Sequence, residues 1–286
     1  LFAIARLTFW EASKKRVFFI TFLLSAAFLS LYGLALRMLA QQMVTIIGPN
    51  SAQLIVKQIL GQQVLGAGLY FASFLLALLA LLASVGSIAS EIENGLLQAI
   101  VSKPIQRREI VLGKFLGYGS LLVAYGIILF AGVISINWIY NQAALISMTP
   151  GRMIFGTLIF IMQPLVLLSV AMVFSTLVKT LPAGIASVML FGLGVIGGFL
   201  EQIGSMVSRT DLMNIGIGIS LIMPADALFR KLMSVIATTE TNPLASLAAG
   251  PFGTAAPPSN VMLFYTILYI LACLAISIYH FNKKDL

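Results

Sequence analysis

The sequence predicts an all-α membrane protein. Its six transmembrane helices are joined by a cytoplasmic helical segment between spans two and three and an outer re-entrant helical segment between spans five and six. Composition is the first observation: of 286 residues, 60% are hydrophobic and only 9% are charged. A soluble domain of this length needs far more charged surface. Length is the second, because a bilayer core of about 30 Å takes roughly 20 apolar residues in a helix. Six stretches qualify: Val17–Leu36, Gly66–Ser87, Val111–Trp138, Met153–Val178, Pro182–Leu200 and Val261–Phe281. Texture is the third. These runs are continuous Leu, Ala, Ile, Phe and Gly, without the alternation of a membrane β-barrel. The whole chain, 1–286, reads as one membrane domain.

Residues 1–16, LFAIARLTFWEASKKR, are expected to form an interfacial helix before the first span, with Phe9 and Trp10 at the headgroup boundary. Lys14-Lys15-Arg16 before an apolar run has the outline of a cleaved signal. The run is longer than a usual signal core and ends at Arg37 without a persuasive cleavage site, so a retained span is the better reading. With both termini inside, the inner segments hold Arg6, Lys14, Lys15, Arg16, Lys103, Arg107, Arg108, Lys114, Lys179, Lys283 and Lys284. The longer outer segments hold Arg37, Lys57, Arg152, Arg209, Arg230 and Lys231. That asymmetry sets the orientation by the positive-inside rule. It also accounts for the net charge of +8 through anionic inner-leaflet lipid. The basic residues form no stripe of the kind that binds nucleic acid.

Between spans two and three lies a charged, proline-broken segment, 91–108. No charge occurs from Gln58 to Ser90 before it, or from Phe115 to Gly151 after Lys114. Ser90-Glu91-Ile92-Glu93 matches a capping box, with Ser90 as cap and Glu93 reaching back. Ile92, Leu96 and Ile100 then recur at helical spacing, predicting one apolar ridge on the helix that starts at Ser90. Pro104 ends that helix at Lys103. A short amphipathic helix at the membrane surface and an ordinary solvated turn stand level on these residues alone.

Elsewhere the chain offers little chemistry. Cys273 and His280 are the single cysteine and histidine, both in the sixth span, and no phosphate-binding loop, nucleophile elbow or zinc motif occurs. Gly113-x-x-x-Gly117 and Gly194-x-x-x-Gly198 let helices approach closely, within one subunit or between copies. Gln163-Pro164 sits midway along the fourth span. The proline is expected to kink it, and the glutamine to satisfy a freed carbonyl or to touch a transported molecule. With Lys114 counted in the inner loop, no span is expected to bury an Asp, Glu, Lys or Arg, which speaks against ion coupling. The outer segments Arg37–Leu65 and 201–260 are too long for turns. In the latter, LMNIGIGISLIMPADALFRKLMSVIA predicts a helical pair broken at Pro224, serving as an outer gate or a plain cap.

The run EIENGLL…IVSKPIQRREIVLGK resembles the cytoplasmic loop of type 2 ABC-transporter permeases, with its E-x-E-x-G, S-x-P-I-x-R and G-K segments. ARLTFWEASKKR resembles the connecting helix before their first span, and FNKKDL their usual carboxyl end. Leu96 and Gln106 depart from the family pattern, which often has Thr or Ser and Ser there. The resemblance implies an exporter permease that forms the translocation path in a bacterial or archaeal cytoplasmic membrane. It would pair with a second copy or close paralogue, and with separate ABC ATPase subunits that bind ATP and Mg. No cofactor is expected in this chain, which is itself no enzyme. Glu91, Ile92, Glu93, Gly95, Leu96, Ile100, Lys103, Pro104, Arg107 and Arg108 would form the coupling helix and its flank. The apolar three would make the buried contact and the acids would fix register. Arg107 and Arg108 would meet the ATPase or lipid phosphate, or simply anchor topology. The resemblance also makes short re-entrant helices after span five plausible. An ATP-independent transporter or channel, or a membrane scaffold for a cytoplasmic partner, is the alternative.

Overall fold

Six long apolar helices dominate the computed structural model, which describes residues 1–46, 51–95, 106–146, 148–236 and 257–283. In chain order the elements are α1 (Phe2–Lys14), α2 (Arg16–Ile46), α3 (Ser51–Ser84), α4 (Ala89–Glu93) and α5 (Arg107–Tyr140). Then come α6 (Gln142–Leu145), α7 (Pro150–Leu177), α8 (Thr180–Met206), α9 (Thr210–Ile222), α10 (Ala225–Ile236) and α11 (Val261–Lys283). No strand occurs among the described residues. The spans α2, α3, α5, α7, α8 and α11 coincide with the six stretches expected from hydropathy. The outer segment Arg37–Leu65 differs from expectation: α2 runs on to Ile46 and α3 starts at Ser51, so helix replaces most of a long loop.

α7 is the axis of the bundle, packing on α3, α5, α8, α10 and α11. Its Val166, Leu167, Leu168, Ala171 and Met172 are fully buried against Leu69, Leu76 and Leu79 of α3 and Leu122 and Val133 of α5. α2, α8 and α11 surround this centre and leave large apolar side chains exposed, including Phe19, Leu23, Ile185, Met189, Phe264 and Leu271. Such outward Leu and Phe are what a hydrocarbon solvent requires. α7 runs unbroken through Pro164, and Gln163 is buried beside it.

With no water in a bilayer core, buried polar groups must find partners inside the protein. Along the α2–α5 seam the Ser25 hydroxyl meets that of Tyr125, which donates to Thr21 O at 3.1 Å. Further along, Asn137 Nδ2 donates to Tyr32 Oη at 2.9 Å, and Asn141 Nδ2 to Gly61 O of α3 at 2.9 Å.

Both glycine pairs serve contacts within this chain. A Cβ on Gly113 would lie 2.8 Å from Ile4 Cγ2, and one on Gly117 2.6 Å from Thr8 Cβ and 2.7 Å from Ala5 O. Those two notches seat α1 along the start of α5. Its Thr8 and Ala12 are buried, whereas Phe2, Leu7 and Trp10 are exposed. Gly194, Gly197, Gly204 and Gly216 likewise let α9 fold back on α8; a Cβ on Gly216 would come within 2.6 Å of Glu201 N. The reversal turns through Ser208 at φ 55°, with Arg209 N donating to Gly204 O at 2.8 Å.

The break expected at Pro224 is present. α9 and α10 meet there at 107°. Two α9 carbonyls beside the break are satisfied from α11: Tyr265 Oη donates to Leu221 O at 2.6 Å and Tyr269 Oη to Ile222 O at 2.8 Å.

Replacing Gly117 by valine puts a branched side chain where Ala5 backbone already sits. Overpacking of this kind costs about 1–3 kcal/mol. The expected outcome is a lowered melting temperature of the purified protein and faster proteolysis within residues 1–14; a melt equal to wild type would show that α1 does not depend on this notch.

Candidate functional site

The segment between α3 and α5 is held by side chains from three spans. α3 ends at Ser84, and α4 follows after Val85–Ile88. The expected capping box does not form. The Ser90 hydroxyl turns back to Gly86 O, and Ser175 Oγ of α7 caps α4 instead, accepting from Ile88 N at 3.2 Å and Ala89 N at 2.9 Å. Glu93, the expected reciprocal partner, caps a different helix. Its carboxylate accepts from Thr180 N at 3.0 Å and from Thr180 Oγ1 at 2.9 Å, at the first turn of α8. A carboxylate there also meets the positive end of the α8 dipole. The local rule lost because two better-placed partners reach in from other spans.

Glu91 points inward. Its Oε2 lies 2.5 Å from Lys114 Nζ, and the same ammonium donates to Ser87 O. Lys114 is 5% exposed, so α5 carries a buried charge that the sequence reading had placed in the loop. Glu91, expected to meet a partner protein, instead neutralises that lysine. One turn further along α5, Tyr118 Oη accepts from Lys15 Nζ at 3.0 Å.

Of the helix expected after Ser90, the described residues hold α4, which stops at Glu93, and Gly95, which takes φ 70°, a conformation open to glycine. Ile92 is half-buried against the core, whereas Glu93 and Asn94 are exposed. Leu96, Ile100, Lys103 and Pro104 lie outside the described residues. The arginine pair divides. Arg107 Nη1 donates to Phe281 O at 3.3 Å and Asn282 O at 3.1 Å, tying α5 to the end of α11. Arg108 is exposed and bonds Gln106 Oε1 at 2.5 Å.

A family model described as ABC-2 family transporter protein matches residues 2–286. The chain belongs to that family. It is a multi-pass membrane protein and an ABC permease subunit, a class that partners ABC ATPase subunits. A comparison with curated proteins finds no match.

A second charged cluster in this ABC-2 protein lies at the opposite end of α8. Arg230 of α10 is 1% exposed and donates from Nη2 to Glu201 Oε2 at 2.7 Å and from Nε to Asp226 Oδ2 at 3.0 Å. Ser220 of α9 joins it, with Oγ 3.3 Å from Arg230 Nη2. The expectation that no span buries a charge therefore fails twice, at Lys114 and at Glu201. The helix of span five passes its apparent apolar limit at Leu200 and carries Glu201 inward. Asp-x-x-x-Arg at one-turn spacing inside an apolar run was the available signal for the second cluster. Nothing local marks Ser175 or Thr180. Asp226 lies in α10, outside the six spans, and burial pushes its carboxyl up to about 6, against the opposing pull of Arg230.

Two outcomes follow. Changing Lys114 to methionine alone strands Glu91, and breaking a buried pair from one side costs about 3–5 kcal/mol. The double variant with Glu91→Gln is expected to recover much of that loss in a melting-based double-mutant cycle; additive losses would remove the pair from its structural role. The folded state holds the Asp226 proton more tightly than the unfolded chain, whose Asp titrates near about 3.9. Stability therefore rises as pH falls from about 6 towards about 4, and Asp226→Asn should flatten that part of the melting profile.

Proposed function

We propose that this chain is the permease of an ATP-driven exporter, and that segment 91–108 is the coupling segment that docks on separate ATPase subunits. The observation that carries the reading is the triple attachment of α4. Glu91 binds α5, Ser175 of α7 caps α4, and Glu93 caps α8. A push on this short segment is delivered to three spans at once, and the Glu91 and Ser175 contacts cannot part without stranding a buried charge or an unpaired N–H. That is the mechanical property a coupling element needs.

In this reading two copies, or a copy and a close paralogue, pair in a bacterial or archaeal cytoplasmic membrane with both termini inside. The basic residues near α1, Lys179 and Lys283 then face anionic lipid. The ATPase subunits bind ATP and Mg, and closure of their dimer displaces segment 91–108. Exposed Asn94 and Arg108 form the accessible rim of the docking surface, and Leu96 and Ile100 its apolar centre. Glu91 and Arg107, both turned into the permease, transmit force and make no docking contact. The bent α9–α10 pair would stand on the outer side, as a gate over the path.

Purification from native membrane with identification of bound proteins tests the docking claim: an ABC ATPase should be recovered, and lost when Leu96 and Ile100 are made aspartate. Ser175→Ala tests transmission, because Ser175 is buried on α7, away from any docking surface. It should keep the ATPase bound while lowering substrate-stimulated ATP turnover several-fold. A homo-oligomer without ATPase would overturn the exporter reading in favour of ATP-independent transport or a scaffold. Unchanged stimulation in Ser175→Ala would overturn the lever.

A further inference from the structure

A cavity of about 420 Å³ opens beside the Glu201–Asp226–Arg230 cluster. Glu201, Ser220 and Arg230 line it, and Ile217, Leu221, Val261 and Met262 provide apolar walls. Its volume falls in the range of small-molecule sites, about 300–1,000 Å³. Within the cluster two carboxylates share one guanidinium, so these three groups leave one negative charge in excess. Arg230 directs Nε and Nη2 at Asp226, Glu201 and Ser220. Glu201 is only 8% exposed, and Ser220 and Arg230 both meet its Oε2; among the described residues Oε1 receives no hydrogen bond. The second oxygen of this carboxylate is therefore open to a further cation in a mostly apolar cavity, where a charge pair is screened less than in water.

The shape of that demand identifies the cation. A divalent metal needs several oxygen ligands, and no group of three Asp, Glu, His or Cys converges among the described residues. One carboxylate beside four aliphatic walls suits an ammonium group attached to an apolar body. The ammonium meets Glu201 and the body lies on Ile217, Leu221, Val261 and Met262.

We propose that this cavity binds an organic ammonium ion bearing an apolar body, with Glu201 as counter-charge. The inference does not rest on the exporter reading, since the site is complete without an ATPase. The ammonium group comes either from a soluble amphiphilic amine or from the headgroup of a bilayer lipid.

Isothermal titration of the full chain in dodecyl maltoside, using benzyltrimethylammonium, tests it. Saturable binding of one ion per chain is expected, and benzenesulfonate, matched in size but anionic, should not bind. The isosteric Glu201→Gln should weaken binding by about tenfold or more, equivalent to about 1.4 kcal/mol. Doping the micelles with phosphatidylethanolamine separates the two sources: competition assigns the site to a lipid headgroup, and unaltered binding to a soluble amine. A measurement on the unaltered protein guards against a misfolded variant. Labelling of Glu201 by dicyclohexylcarbodiimide, read by mass spectrometry, should slow when benzyltrimethylammonium is present. Absence of saturable binding, equal binding of the sulfonate, or unprotected Glu201 would each overturn the proposal.

Discussion

The ammonium of Lys114 sits two turns inside α5, where a charge is tolerated only because Glu91 and the Ser87 carbonyl close on it. Much of that end of the bundle follows from this requirement. Ser87 must lie within reach, so the chain turns sharply after α3 instead of running on as one longer helix. Glu91 must face inward, which fixes the rotation of α4 and sends Glu93, two residues on, towards α8. Ser175 then finds the α4 N–H groups in front of it. A buried ion pair contributes little net stability against an apolar replacement, because desolvation offsets most of the attraction. What it supplies here is register: a short turn that could fold in many ways has one arrangement in which the lysine is neutralised.

At the other end the constraint is steric. Gly198 leaves room for a carboxylate, since a Cβ there would lie 1.6 Å from Asp226 Oδ2. Gly197 and Gly216 bring α8 and α9 together so closely that backbone replaces side chain at the contact. The glycines and the charged cluster therefore depend on each other. Without the close approach Arg230 could not reach Glu201, and without that pair the glycine-lined hairpin would lose its charged attachment to α8.

Hydropathy made the six spans legible, because a bilayer imposes a length and a texture that no tertiary context can override. Pro224 was legible for a similar reason: a missing N–H and a fixed φ act locally. The capping box was legible and misleading. Ser90 and Glu93 have the right spacing, yet each found a partner outside the motif, and a competition between local and distant acceptors is invisible in one sequence. Glu201 was missed through a boundary error of a few residues at the end of span five. The same glutamate looks like loop surface if the helix stops at Leu200 and like a buried ion if it runs to Met206. Helix ends are where pattern reasoning is weakest, and both charged clusters of this permease sit at helix ends.

α8 joins the two ends. Its first residue, Thr180, is bonded to Glu93, and its last turns carry Glu201 to Arg230. Its 27 residues span about 40 Å at about 1.5 Å each, so the helix reaches from one polar cluster to the other. A helix held by a carboxylate contact at each end can transmit a shift of one cluster to the other if it moves as a rod. Six glycines within it, Gly184, Gly192, Gly194, Gly197, Gly198 and Gly204, lower its intrinsic helical stability and concentrate pliancy in its second half. That half is the part clasped by α9. The clasp therefore does for α8 what composition does not: it stiffens the glycine-rich stretch by packing. A loosened Arg230 cluster would free both the hairpin and the end of α8 together, which makes this cluster the natural place for an occupant of the cavity to influence the turn at Thr180.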